Sequence, residues 1–167
     1  SSTAIALSKH FLPDAQNEPG MMAKLGARTV VAATLRAVQL LGRQFVLGQT
    51  MPEAMKEADV SRKKANVRFS YDMLGEGART DEDALRYLKS YADAIDSIAA
   101  RADKTGALTR NDGISIKQSA LFPRYEDAQS QRVMDELVPR VWGLCKAAAA
   151  ANINLTIDAE EVDRLEL

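Results

Sequence analysis

Histidine and cysteine are almost missing from this sequence: His10 and Cys145 stand alone among 167 residues. One cysteine excludes an intrachain disulfide and fits a reducing compartment. A metal site rich in His or Cys cannot be assembled. A Ser-His-Asp or Cys-His triad would have to draw on His10, in a polar opening segment. A charge excess is missing too, since 22 basic and 23 acidic residues leave a net charge of −1. That balance argues against a large nucleic-acid surface, which needs Lys and Arg in excess on one face. No apolar run approaches the roughly 20 residues of a membrane span. Nothing at the start reads as a secretory signal, and the opening Ser-Ser without Met reads as a boundary or a cut. Carboxylates, lysines, arginines, tyrosines or a cofactor remain for chemistry, and a cytoplasmic setting is expected.

What is present is a regular grammar in a chain of about one domain's length. Residues 1–21 carry two prolines, a glycine and little periodicity, and read as an irregular lead-in. Residues 22–62 read as a helical segment. Val31, Leu35, Val38, Leu41 and Phe45 recur at helical spacing, predicting one long amphipathic helix to about Leu47, closed by Gly48. Thr50-Met-Pro-Glu53 is a capping box with Pro in the first turn, opening a second helix over Ala54 to Ala58. Asp59 to Asn66 is charged, lacks an apolar face and reads as a linker.

From residue 63 to 167 strands and helices alternate. Val67-Arg-Phe-Ser-Tyr71 is a strand, and Asp72-Met-Leu-Gly-Glu76 the loop at its carboxyl end. Thr80 caps a helix with acids in its first turn, and Leu85, Leu88, Ala92, Ile95 and Ile98 are its expected buried stripe. A polar loop, Ala102 to Asp112, leads to a second strand in which Ile114 and Ile116 alternate with Ser115 and Lys117. That strand gives way to a loop, because Pro123 turns Phe122 away from helical geometry. A third helix runs from about Glu126 to Ala151, with Val133, Leu137, Val141, Leu144 and Ala148 inward and a kink at Pro139. Asn152 stops it, and Ile153 to Asp158 is a third strand.

Strand–helix–strand–helix–strand implies parallel strands with right-handed crossovers. The strands end on Asp72, Lys117 and Asp158, which a parallel sheet places along one edge. In parallel α/β folds that edge is where chemistry is built. Three strands cannot close a barrel, which takes about eight, so the chain reads as a fragment of a larger α/β protein.

Three stretches carry a resemblance: Ser70-Tyr-Asp-Met-Leu-Gly-Glu76, Ile114-Ser-Ile-Lys-Gln-Ser-Ala-Leu-Phe-Pro-Arg-Tyr125 and Ile157-Asp-Ala-Glu-Glu-Val-Asp-Arg-Leu-Glu166. In order and separation they resemble the proline dehydrogenase domain of the bifunctional proline utilization A flavoproteins. The resemblance covers the chain from about Met22. It implies a distorted (β/α)₈ barrel, of which this chain supplies the preceding helices and the first three strands. It implies FAD as cofactor, L-proline as substrate, Δ1-pyrroline-5-carboxylate as product, and hydride transfer from ring carbon 5 to flavin N5. A quinone acceptor and peripheral contact of the parent protein with a membrane are implied as well.

The same resemblance makes Lys117 the cation that orients the substrate carboxylate. It makes Glu76 and Asp158 the carboxylates that pair with two arginines from the last barrel helix. Asp158 and Ala159 fall beside the flavin, and Asp72 joins the site at the first strand's end. Gln118 and Phe122 depart from the family, which has an aliphatic residue and a histidine there. The arginine pair and the later strands lie outside these residues. The chain alone is therefore expected to hold FAD weakly and to be inactive.

Plainer readings stand beside these. A lysine at a strand end is often a solvated terminus, and Asp72 could simply cap the next turn. Glu160 and Glu161 read as solvated charges, Cys145 as a small core residue, and Tyr71, Tyr91 and Tyr125 as packing aromatics. Two other functions stay open: a Schiff-base barrel enzyme using Lys117, and a non-enzymatic helical segment through which copies dimerise.

Overall fold

Three short parallel strands, side by side in the order β1-β2-β3, organise the molecule: β1 (Ser70–Asp72), β2 (Gly113–Lys117) and β3 (Leu155–Asp158). The structure, a computed structural model, describes residues 21–42, 45–159, 162–164 and 166–167. The lead-in over residues 1–20, with His10, and the acids Glu160 and Glu161 lie outside the described residues. The chain divides into two compact units, residues 1–49 and 50–167.

In the first unit, α1 (Met21–Gly42) is the expected long helix, but it stops short of Leu47. The N–H groups of Phe45 and Val46 both turn back to the Gly42 carbonyl. Val31, Leu35, Val38 and Leu41 are all exposed.

The second unit begins with α2 (Met51–Lys64), opened as expected by Thr50, whose hydroxyl accepts the Glu53 N–H. The charged stretch 59–64, expected as a linker, continues this helix. Arg62, Lys63 and Lys64 fall in its last turn, where cations meet the negative end of the helix dipole. Ala54, Met55 and Ala58 are its buried face.

β1 starts three residues later than the alternation suggested and includes Asp72. Helix α3 (Asp81–Ala99) is capped by the Thr80 hydroxyl, which accepts the Asp83 N–H. Its stripe is rotated from the expected one. Ala84, Tyr91, Ala94, Ile95 and Ile98 are buried, whereas Leu85 is 54% exposed. Spacing alone left that phase open, and packing on the sheet decides it in favour of Tyr91. Beyond β2 comes one unforeseen turn of helix, α4 (Gln118–Leu121), before Pro123.

The third long helix is built in pieces. Asp127–Gln129 is a 3₁₀ turn, followed by α5 (Ser130–Arg132), a π turn over Val133–Leu137, and α6 (Val138–Ala150). Pro139 has no N–H for the carbonyl one turn back. The backbone widens just before it, and the Val138 N–H donates to Val133, five residues earlier. The disturbance expected at Pro139 thus takes the form of a π turn. Asn152 ends the helix in the left-handed conformation, φ 58°.

Alternation along the strands gives the sheet two faces. Tyr71, Ile114, Ile116 and Ile157 lie on one. Ile114 and Ile116 are fully buried in a core with Tyr91, Ile95, Ile98, Leu121, Leu144 and Ile153. Burial of each isoleucine contributes about 1.5–3 kcal/mol. Ile157 on edge strand β3 stays 43% exposed. The other face carries Ser70, Asp72, Ser115, Lys117, Thr156 and Asp158, and is polar throughout.

At the amino ends of β2 and β3 two asparagines interlock. Asn111 Nδ2 donates to the Asp103 and Asn152 carbonyls, and Asn152 Nδ2 donates to the Asp103 and Gly106 carbonyls. Gly113 lies so close to Asn154 that a Cβ there would come 2.7 Å from its carbonyl oxygen.

Candidate active site

Parallel pairing with Lys117 opposite Asp158 and Asp72 opposite Ser115 brings the three charged strand ends together on the polar face. Lys117 Nζ donates to Asp72 Oδ1 at 2.8 Å and lies 3.6 Å from Asp158 Oδ2. The ammonium is nearly covered, with 8% of its side chain exposed. Asp72 and Asp158 are 51% and 28% exposed. The cation therefore sits beneath two more exposed carboxylates, hydrogen-bonded to Asp72 and in a longer ion pair with Asp158.

Sequence reasoning missed the partner behind Lys117. β1 ends at Asp72, paired with Ser115, so the Lys117 N–H lies two residues beyond the last ladder pair. The Tyr91 hydroxyl, reaching in from α3, accepts that N–H at 3.2 Å in a buried setting. Burial also pushes the Tyr91 phenol above its ordinary pKa. Periodicity left the phase of α3 open, and once packing sets it Tyr91 carries the one hydroxyl on the buried stripe. Its ring packs in the core as expected, and its hydroxyl also anchors the lysine's backbone.

Glu76 is exposed on the loop after β1, between Gly75 and Gly77, both at positive φ (132° and 59°). The loop is fastened to the strand-end edge through Ser119, another residue not singled out beforehand. The Gly77 N–H donates to its hydroxyl at 3.4 Å and the Ala78 N–H to its carbonyl at 2.8 Å. Ala159 follows Asp158 directly and is exposed. The structure thus gathers Asp72, Lys117 and Asp158 into one cluster, places Ala159 at its margin, and carries Glu76 on the adjoining loop. Gln118 and Phe122, the departures from the family pattern, stand behind the edge. The Gln118 side-chain carbonyl accepts the Tyr125 hydroxyl, and Phe122 is buried beneath the guanidinium groups of Arg132 and Arg140.

The proline dehydrogenase family profile matches residues 54–167, the whole alternating part of the chain. The chain belongs to the proline dehydrogenase family. It is 48% identical to bifunctional protein PutA of Escherichia coli over 131 residues, 78% of this chain and 10% of that protein. With bifunctional protein PutA of Rhizobium meliloti it shares 42% over 147 residues, 88% of this chain and 11% of that one. Among solved structures, a mutant of Bradyrhizobium japonicum proline utilization A superposes with a TM-score of 0.65 at 44% identity. That match covers 93% of this chain and 16% of the other. The chain thus spans about a tenth of the length of these curated relatives. The three parallel strands and their helices agree with the barrel expected of a proline dehydrogenase domain.

Among the described residues no helix is long and apolar enough to cross a membrane. No group of three or more His, Cys, Asp or Glu there could hold a metal ion.

Proposed function

We propose that this chain forms the carboxylate-binding edge of an FAD-dependent proline dehydrogenase, with Lys117 orienting L-proline. The observation that carries the reading is the shielded Lys117 ammonium between Asp72 and Asp158, at the strand ends of a proline dehydrogenase family chain. Proline offers a carboxylate and a secondary amine, and a fixed cation suits the carboxylate. The 3.6 Å contact to Asp158 is longer than a hydrogen bond, so it is the one a substrate carboxylate displaces. The Tyr91 hydroxyl holds the backbone of Lys117 during that exchange. Precise placement of the ring matters, since misplacement by about 1 Å can cost on the order of 10²-fold in rate.

FAD, when bound, supplies the hydride acceptor. The polar edge fits the group: Asp158 and Ala159 lie at the end of β3 with surface still accessible beside the lysine. Asp158 and Glu76 would carry the negative charge that pairs with arginines of the same barrel. Those arginines lie outside these residues, and for that reason we propose that the chain alone holds FAD weakly and does not turn over. Reduction of a quinone, peripheral contact with a membrane and a cytoplasmic setting follow from the family resemblance. A dimer through α1 would cover its exposed apolar residues.

The ion pairs speak against a Schiff-base lysine. Such a lysine must be neutral to attack a carbonyl, and two adjacent carboxylates favour the ammonium.

A chimera tests the reading. This chain replaces the matching segment of the Escherichia coli relative, and anaerobic bleaching of the flavin by L-proline is recorded. The expected result is bleaching that Lys117→Met slows by on the order of 10²-fold. Bleaching at an unchanged rate in Lys117→Met would overturn the assignment.

A further inference from the structure

At the amino ends of the strands, the pole away from Lys117, lies a second charged cluster for which the proposed reaction has no use. A cavity of about 300 Å³ opens there, and Arg62, Arg68, Arg101, Arg110, Asp59 and Asp112 are among the residues that line it. Four guanidinium groups line it against two carboxylates, and with Asp103, which feels the charge of Arg110, counted as well, the cluster stays net positive. The two carboxylates are already engaged. Asp59 pairs with Arg62 at 2.6 Å and with Arg101 at 2.7 Å, and Asp112 pairs with Arg62 and accepts the Phe69 N–H.

Arg68 bonds to no carboxylate, and Arg110 is attracted to Asp103 without a close ion pair. Arg68 donates Nε to the Arg110 carbonyl at 2.6 Å and Nη1 to the Val67 carbonyl at 2.8 Å, acceptors that leave its charge intact. The attraction between Arg110 and Asp103 is the weakest of the influences named on that carboxylate, which is held chiefly by Thr105 and Gly106.

We propose that this cavity binds a small divalent oxyanion, a phosphate or a short dicarboxylate, between Arg68 and Arg110. Planar guanidinium forks match both groups in bidentate fashion. The volume is at the lower end for ligand pockets, which suits a phosphate ester or a four-carbon diacid better than a nucleotide. The bound anion would join the segment leading into β1 to the one leading into β2 through one charge.

The test is the thermal midpoint of this chain in inorganic phosphate, in succinate and in chloride at equal ionic strength. The midpoint is expected to rise by several degrees in phosphate or succinate over chloride, and whichever anion acts fixes the class. The double variant Arg68→Gln/Arg110→Gln is expected to keep its chloride midpoint and lose the rise. General salting-out by phosphate would survive in the variant, and that result would overturn the proposal. So would equal midpoints in all three salts. A second readout needs no variant: the Arg68 and Arg110 Nε–H resonances are expected to shift saturably with phosphate while that of Arg86 stays fixed. Absence of those shifts would likewise overturn it.

Discussion

Asp72 and Lys117, on adjacent strands and 45 residues apart, meet through a 2.8 Å bond between a half-exposed carboxylate and a nearly buried ammonium. The geometry predicts low chemical reactivity for this lysine. Acetic anhydride should modify Lys117, 8% exposed, far more slowly than Lys89, 75% exposed, as read by mass spectrometry of timed digests. Asp72→Asn should speed labelling of Lys117 and lower stability by about 1–3 kcal/mol, the range for a buried polar group that loses a partner. Equal labelling of the two lysines would contradict the shielding.

Tyr91→Phe keeps the ring and removes the acceptor of the Lys117 N–H. An amide left without a partner in a buried position costs about 1–3 kcal/mol. Hydrogen exchange should report where: the Lys117 amide loses protection while the Ile114 amide, bonded to the Asn154 carbonyl, keeps it. Uniform loss along β2 would point to general loosening instead.

Acid should weaken the fold through two aspartates outside the site. A hydrogen bond from Arg101, aided by Arg62, holds Asp59 below the usual carboxylate range. The Thr105 N–H and hydroxyl, with the Gly106 N–H, do the same for Asp103. Both values are depressed in the folded state, so their contribution is present above about pH 4 and lost as pH falls through the lowered values. Urea midpoints measured between about pH 6 and pH 2 should show a decline that is shallower in Asp59→Asn.

Alkali acts through Tyr71 with the opposite sign. Burial, reinforced by the Asp112 carboxylate, pushes its phenol up to about 12. A raised value in the folded state stabilises below the unfolded pKa of about 10 and is lost as pH rises toward the folded one. Ultraviolet titration of tyrosinate should show a component near pH 12 that disappears in Tyr71→Phe. A Tyr71 titrating at its ordinary value would refute the burial argument.

Gly113→Ala should separate β2 from β3, because the new methyl would meet the Asn154 carbonyl oxygen at 2.7 Å. Overpacking of this kind costs about 1–3 kcal/mol. The exchange protection lost should be centred on Ile114, whose N–H donates to that carbonyl.

The order of elements and the convergence of Asp72, Lys117 and Asp158 were legible because alternation of strands and helices constrains topology strongly. What spacing could not supply was phase and local compensation. Leu85 and Tyr91 both fit a helical stripe on α3, and only contact with β2 decides that Tyr91 turns inward. Residues 59–64 lack apolar character, yet their charges satisfy a helix end and pair with Asp112 across the fold. The π turn before Pro139 answers a missing hydrogen bond with a wider turn, where the sequence alone suggested only a kink. Glu76 is singled out by resemblance alone, whereas Ser119, which fastens the neighbouring Gly77 and Ala78, depends on a loop path that no periodicity records.

The interlocked pair Asn111 and Asn152 fastens the two crossover connections at the end of the sheet remote from Lys117. Each crossover is thereby held by the other's asparagine. An asparagine lost at this clasp would therefore loosen both crossovers at once, even though it touches neither the core nor the charged edge.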